Sequence, residues 1–199
     1  RSRWFPIALH LAGRGCAVLA LDLRGHGESP TQVGNVDLHS ADGSAPRLSS
    51  TGTVEPRDVR VMLDDLRNAV SYLAIKGEVD GGRLAIVGAG FGGDLALAAA
   101  AEPWSEAVRC IVAVSPSLED RGLDAVAEVP RIGKGRALFL AAGHGDAAGA
   151  AAVARLAKLH RGPQEVFLAD GDQRGLDLLS SGLIRKIPEW VLNTIGGAK

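Results

Sequence analysis

Residues 84–97 read Leu84-Ala85-Ile86-Val87-Gly88-Ala89-Gly90-Phe91-Gly92-Gly93-Asp94-Leu95-Ala96-Leu97: an apolar run enters a cluster of glycines and leaves it rich in alanine and leucine. The run around Ile86 is too short for a buried helix and ends in glycines, so it predicts a strand over 83–87 that is buried on both faces. Alanine and leucine are strong helix formers, and they predict a helix over 93–102. A tight strand-to-helix turn at Gly88–Gly93 is the result. Gly88, Gly90 and Gly93 also have the G-x-G-x-x-G spacing of a dinucleotide-binding turn, in which a pyrophosphate sits on the helix N-terminus. That fingerprint asks for an acidic residue about 20 positions on, at the end of the next strand. The next strand-like run ends Val114-Ser115-Pro116, without Asp or Glu. Dinucleotide binding through Gly88, Gly90 and Gly93 therefore remains an alternative without its acid, and no cofactor is expected.

Working outward, strand-like runs recur at 109–114, 136–141 and 164–168, and helical segments at 147–160 and 183–195. Upstream, Trp4, Ile7, Ala8 and Leu11 recur at helical spacing over 3–14, with Gly13-Arg14-Gly15 as the stop. Cys16-Ala17-Val18-Leu19-Ala20-Leu21 is continuously apolar and predicts another parallel strand buried on both faces. Arg24–Glu55 is rich in Gly, Ser, Pro, Thr and Asp and reads as a long surface loop. Pro56 then opens a helix whose Val59, Met62, Leu63, Leu66, Val70 and Leu73 form one apolar stripe, with Gly77 near its end. Strands alternating with helices imply parallel pairing through right-handed crossovers, hence a mostly parallel sheet covered by helices on both faces.

The chain has 199 residues, 46% of them hydrophobic, and a formal net charge of −1, which suits a single domain over 1–199. Its mixed charges supply no basic stripe for nucleic acid. No apolar run approaches the roughly 20 residues of a membrane span. Cys16 and Cys110 lie in or beside apolar runs and read as buried thiols rather than a disulfide. The chain starts at Arg1-Ser2-Arg3-Trp4 without a signal-peptide pattern, so its compartment stays open, cytoplasmic if no targeting segment lies upstream.

Several runs, taken in order, resemble one family. Ala17–Leu23 followed by Arg24-Gly25-His26-Gly27-Glu28-Ser29 is similar to the strand and turn that α/β-hydrolase-fold proteins place before their nucleophile. Gly88-Ala89-Gly90-Phe91-Gly92-Gly93 falls where that family, with its serine esterases and lipases, carries Gly-x-Ser-x-Gly. Cys110–Pro116 resembles the following strand, Gly143-His144-Gly145-Asp146 the turn that carries the acid, and Asp170-Gly171-Asp172-Gln173-Arg174-Gly175 the loop of the catalytic histidine. The resemblance spans nearly the whole chain. It implies an α/β-hydrolase-like sheet with a degenerate triad: Gly90 at the nucleophile's position, Asp146 at the acid's and Arg174 at the histidine's.

Glycine has no nucleophile, and an arginine with a pKa above about 12 does not accept a proton near neutrality. Only the acid of the usual three-part division of labour remains. The resemblance further implies strands ahead of the first helix, one of them central in the sheet. Within residues 1–199 these are missing, so an upstream segment or another chain is expected to supply one by strand addition. The expected function is thus a non-catalytic α/β-hydrolase-fold protein serving as a binding or structural subunit with a protein partner. The alternative is hydrolysis of esters or related acyl substrates at a non-standard site, for which Ser115 is the one serine to consider.

The remaining candidates read as structural. Arg174 is expected to pair with Asp146, or with neighbouring Asp172 or Asp177, and less so to mark an anion pocket. His26 and His144 belong to turns, and Asp94 complements the positive end of its helix. Trp4, Trp104 and Trp190 read as packing residues.

Overall fold

Cys110, Val112 and Val114 alternate with Ile111 and Ala113 along the strand β2 (Val108–Val114), and a helical layer buries each set. The computed structural model describes residues 2–24, 26, 56–180 and 182–196. Around β2 lies a four-stranded parallel sheet of β1 (Leu84–Ala89), β2, β5 (Ala137–Gly143) and β6 (Gln164–Ala169), in that spatial order. Between β2 and β5 come a short antiparallel hairpin, β3 (Glu119–Asp120) with β4 (Leu123–Asp124), and one helical turn, α4 (Ala125–Glu128).

The helices α2 (Pro56–Ala74), α3 (Phe91–Ala101) and α5 (Ala147–Leu159) cover one face of the sheet. There Leu97, Val153 and Leu156 meet Ile111, Leu138 and Leu140. On the other face, α1 (Phe5–Ala12) and α6 (Leu183–Ile195) set Ile7, Leu11, Leu183, Ile187 and Val191 against Val112, Val114 and Phe139. Burying each such side chain contributes about 1.5–3 kcal/mol, which makes these two layers the main source of stability. α3 is buried nearly all round, because α2 covers it from outside through Val59 and Met62. The helix-covered α/β architecture is as expected, and the four sheet strands with α3, α5 and α6 fall within a few residues of their predicted places, while β3, β4 and α4 had no predicted counterpart.

One element differs. The strand expected over Cys16–Leu21 is absent: residues 16–23 belong to no strand or helix, and Ala17–Leu21 are exposed, Leu19 at 40%. An apolar run becomes a strand only beside a partner, and among the described residues none lies next to it. Its two ends are nonetheless tied to the core. The Cys16 thiol feels the charge of Arg83, just before β1, and Leu23 packs with Phe91 into the α2–α3 cluster, just after it. Cys16 packs against the same core cluster as Ala85, Val87 and Ala89 of β1, and among the described residues no strand pairing joins the segment to β1.

Arg24 and His26 are the described part of the predicted loop. Gly25 and residues 27–55, including Gly27-Glu28-Ser29, lie outside the described residues. Among the described residues no helix is long and apolar enough to cross a membrane, and no group of three or more His, Cys, Asp or Glu is placed to hold a metal ion. Cys16 and Cys110 are both free thiols, and burial pushes that of Cys110 up to about 12.

Candidate functional site

The bend between β1 and α3 is built by its glycines. A side chain on Gly88 would collide with the backbone of Gly92 and Gly93, so only glycine lets the helix start this close to its strand. Gly90 sits at the corner with φ 54° and ψ −130°, a backbone that residues with a side chain rarely adopt. Its amide donates to the Val114 carbonyl at 2.8 Å, and its carbonyl accepts from Gly93 and Asp94 to open the helix. Among the described residues nothing lies within 4 Å of where its Cβ would be, so none of them fills the space at the corner.

Across the carboxyl ends of the strands, Arg174 Nη2 donates to Asp146 Oδ1. This is the expected pairing; Asp177 is bound instead by Arg3. Asp146 is also the N-cap of α5, its Oδ1 accepting from the Gly149 amide at 3.1 Å. The Arg174 guanidinium, followed by the helix amides, holds the Asp146 carboxyl below the usual carboxylate range despite burial, and the carboxylate in turn raises Arg174. The carboxylate at the acid's position is therefore engaged twice.

Ser115 follows β2 directly and has φ 50°, one of two described non-glycine residues with positive φ. Its Oγ accepts from the Gly175 amide at 2.8 Å, tying the Arg174 loop to the strand whose Val114 carbonyl holds Gly90. The structure thus brings Gly90, Ser115, Asp146 and Arg174 to one end of the sheet. His144 is exposed. His26 Nδ1 lies 3.1 Å from the Arg24 carbonyl in a turn anchored by Arg24 to Asp65 at 2.6 and 3.0 Å. Trp190 packs tilted against Phe139, with ring centroids 5.3 Å apart and planes at 59°, and Trp4 and Trp104 pack against the two cores. The end of β2 offers Ser115 and Pro116, so the dinucleotide reading gains no acid there.

Sequence reasoning missed two carboxyls. Asp94, assigned to the helix terminus, is 2% exposed, and burial pushes it up to about 6 in spite of the helix's positive end. Its Oδ1 accepts from the Ser117 amide at 2.7 Å, while Oδ2 has no hydrogen-bond partner among the described residues. Glu128 Oε2 is likewise buried and unpartnered, and burial pushes this carboxyl up to about 7. For Asp94 the available signal was its place directly before Leu95-Ala96-Leu97-Ala98, a stretch with no polar face to carry it outward.

A family model described as alpha/beta hydrolase fold matches residues 1–164. No curated protein matches the chain significantly. Among solved structures, an acetyl xylan esterase from a Paenibacillus species is similar at 22% identity and a TM-score of 0.66, over 92% of this chain and 68% of that one. A dienelactone hydrolase from Anabaena variabilis is similar at 17% identity and a TM-score of 0.59, over 69% of this chain. The match spans only 61% of that enzyme's length. A predicted CIB-like hydrolase from Thermoplasma acidophilum gives a TM-score of 0.59 at 15% identity, over 96% of this chain and 80% of that one. At these identities the likeness concerns the fold alone.

Proposed function

The chain belongs to the α/β-hydrolase fold family, and from that premise we propose that it is a catalytically inactive member serving as a binding or structural subunit. The observation that carries this reading is Gly90 at the strand-to-helix corner, with none of the described residues filling the space where the family's serine would present its hydroxyl. No atom there attacks a carbonyl. Arg174 holds its proton at any ordinary pH and is committed to Asp146, so the histidine's relay is lost as well. A glycine at this corner also relieves backbone strain on the order of 1–3 kcal/mol. Stability is kept while chemistry is deleted, the pattern of a fold retained for another use.

The use is binding, and we place its surface at the exposed run Ala17–Leu21 together with β1, which among the described residues pairs on one side only. An extended strand from a further stretch of polypeptide fits between them, hydrogen-bonding to β1 and covering the run. Exposure of the native protein to a serine-reactive fluorophosphonate and to short-chain nitrophenyl esters tests the loss of chemistry. Neither labelling nor turnover above background is expected, and specific labelling of any residue overturns the reading. Cross-linking from positions 17–21 in the native isolate is expected to capture a strand from outside residues 1–199.

The second reading is ester hydrolysis at Ser115, favoured by that hydroxyl's place beside the corner in strained backbone. Turnover lost in Ser115→Ala would establish it.

A further inference from the structure

β6 ends the sheet on the side away from β1, and among the described residues it pairs with β5 alone. Its register to β5 runs unbroken over all six residues, so no bulge turns the open edge aside, and no proline interrupts it. The Pro163 carbonyl accepts from the Leu138 amide at 3.0 Å and the Ala169 carbonyl from the His144 amide at 2.7 Å. Odd-numbered residues therefore turn their backbone groups toward β5, and Gln164, Val166 and Leu168 turn theirs to the open side. Val166 and Leu168 are also 43% and 44% exposed. Edge strands are usually blunted by bulges, prolines or charges, and the one charge within β6, Glu165, is bound by Lys186 of α6 at 2.6 Å.

The occupant of this edge follows from its own sequence. Lys186 holds Glu165 and also lies over the Phe167 ring, 5.4 Å from its centre, so one ammonium spans both residues. A second copy laid antiparallel with a two-fold axis at Val166 sets Val166 against itself and Gln164 against Leu168 of the second copy. All three outward residues then exchange backbone hydrogen bonds. An axis at Phe167 instead leaves Gln164 opposite Asp170, which lies outside the strand. In the first register Glu165 stands opposite Phe167 of the second copy, with Cβ atoms roughly 5 Å apart. Each Lys186, seated over its own Phe167, thereby reaches the Glu165 of the other copy, and no like charges stand opposite one another along the strand.

We propose that β6 is a two-fold interface at which two copies of this chain join their sheets edge to edge, with Val166 on the axis and each Lys186 bridging to the Glu165 of the other copy. The interface is independent of whether the Gly90 corner carries chemistry and of what binds at β1.

Sedimentation velocity of the full chain, in a Leu19→Lys background that charges the exposed run at the other edge, tests it. A monomer–dimer equilibrium without larger species is expected, because a two-fold contact closes on itself. Glu165→Lys and Lys186→Glu should each weaken the dimer about tenfold or more, since each sets like charges across the axis. Mixed together, the two variants should dimerise again, because each then offers the charge that the other lacks; an ion pair acting within one copy gains nothing from mixing. A monomer at every concentration in the Leu19→Lys background overturns the proposal, as does a dimer indifferent to the single changes or a mixture that stays monomeric. If the charge variants do not fold, Leu168→Lys decides. It should leave the urea midpoint unchanged and weaken the dimer about tenfold or more, and an undiminished dimer overturns the interface.

Discussion

Gly88 and Gly90 stand two residues apart in one turn and are needed for opposite reasons. At Gly88 the obstacle is space, since a methyl group would strike the backbone of Gly92; at Gly90 no described residue is in the way and the obstacle is the φ of 54°. Gly90→Ser should therefore fold with a loss of about 1–2 kcal/mol, the cost of a side chain in left-handed backbone. Gly88→Ala should lose more, because strand and helix must separate. Urea midpoints with unchanged slopes check both. Asp146 carries a different dependence. Its carboxyl is lowered in the folded state, so its contribution is present above about pH 4 and is lost as pH falls through the lowered value. Asp146→Ala, which removes cap and pair together, should cost about 1 kcal/mol or more at pH 7. Asp146→Asn keeps the cap and should flatten the decline in stability between pH 5 and 2, measured by thermal unfolding.

At the scale of elements, what could be read from the sequence was whatever its own residues stabilise. The stripe from Val59 to Leu73 and the runs around Ile111 and Leu138 carry their burial pattern with them, and they stand where periodicity put them. The hairpin β3–β4 and the four-residue α4 carry no such pattern, being too short for a period to repeat. Cys16–Leu21 failed in the other direction. Its composition is that of a buried parallel strand, but strand formation depends on backbone partners that the run does not itself contain. Amides of Ala17–Leu21 should consequently exchange orders of magnitude faster than those of Ile111–Val114 and Leu138–Ala141, which pair along both edges. Hydrogen exchange by mass spectrometry on the isolated chain reads this directly. Protection of 17–21 equal to that of β2 would mean the run is paired after all.

Across the whole molecule, the order of strands, corner and loops was legible because each motif lies at the end of a strand, and parallel strands bring their ends together. Gly90, Asp146 and Arg174 are far apart in sequence and come to the same end of the sheet for that reason. The burial of Asp94 was only hinted at by the apolar residues that follow it, since it depends on α2 and the hairpin closing over α3 from two sides. The same reasoning at this scale yields a prediction about association. Val18, Leu19 and Leu21, with Phe5 and Leu9 on α1, are exposed apolar surface, and among the described residues β1 pairs on one side only. The formal net charge is −1 and the sequence pI about 6.6, so little repulsion keeps copies apart near neutrality. The isolated chain should associate with rising concentration, most strongly near pH 6.6 and less at pH 9, where net negative charge grows. Leu19→Lys places a charge in the run where no described strand packs on it. It should cut association while leaving the urea midpoint within about 0.5 kcal/mol of wild type. Sedimentation velocity over a concentration series measures both arms. A monomer at every concentration and pH would show that the run and the β1 edge are already covered within residues 1–199.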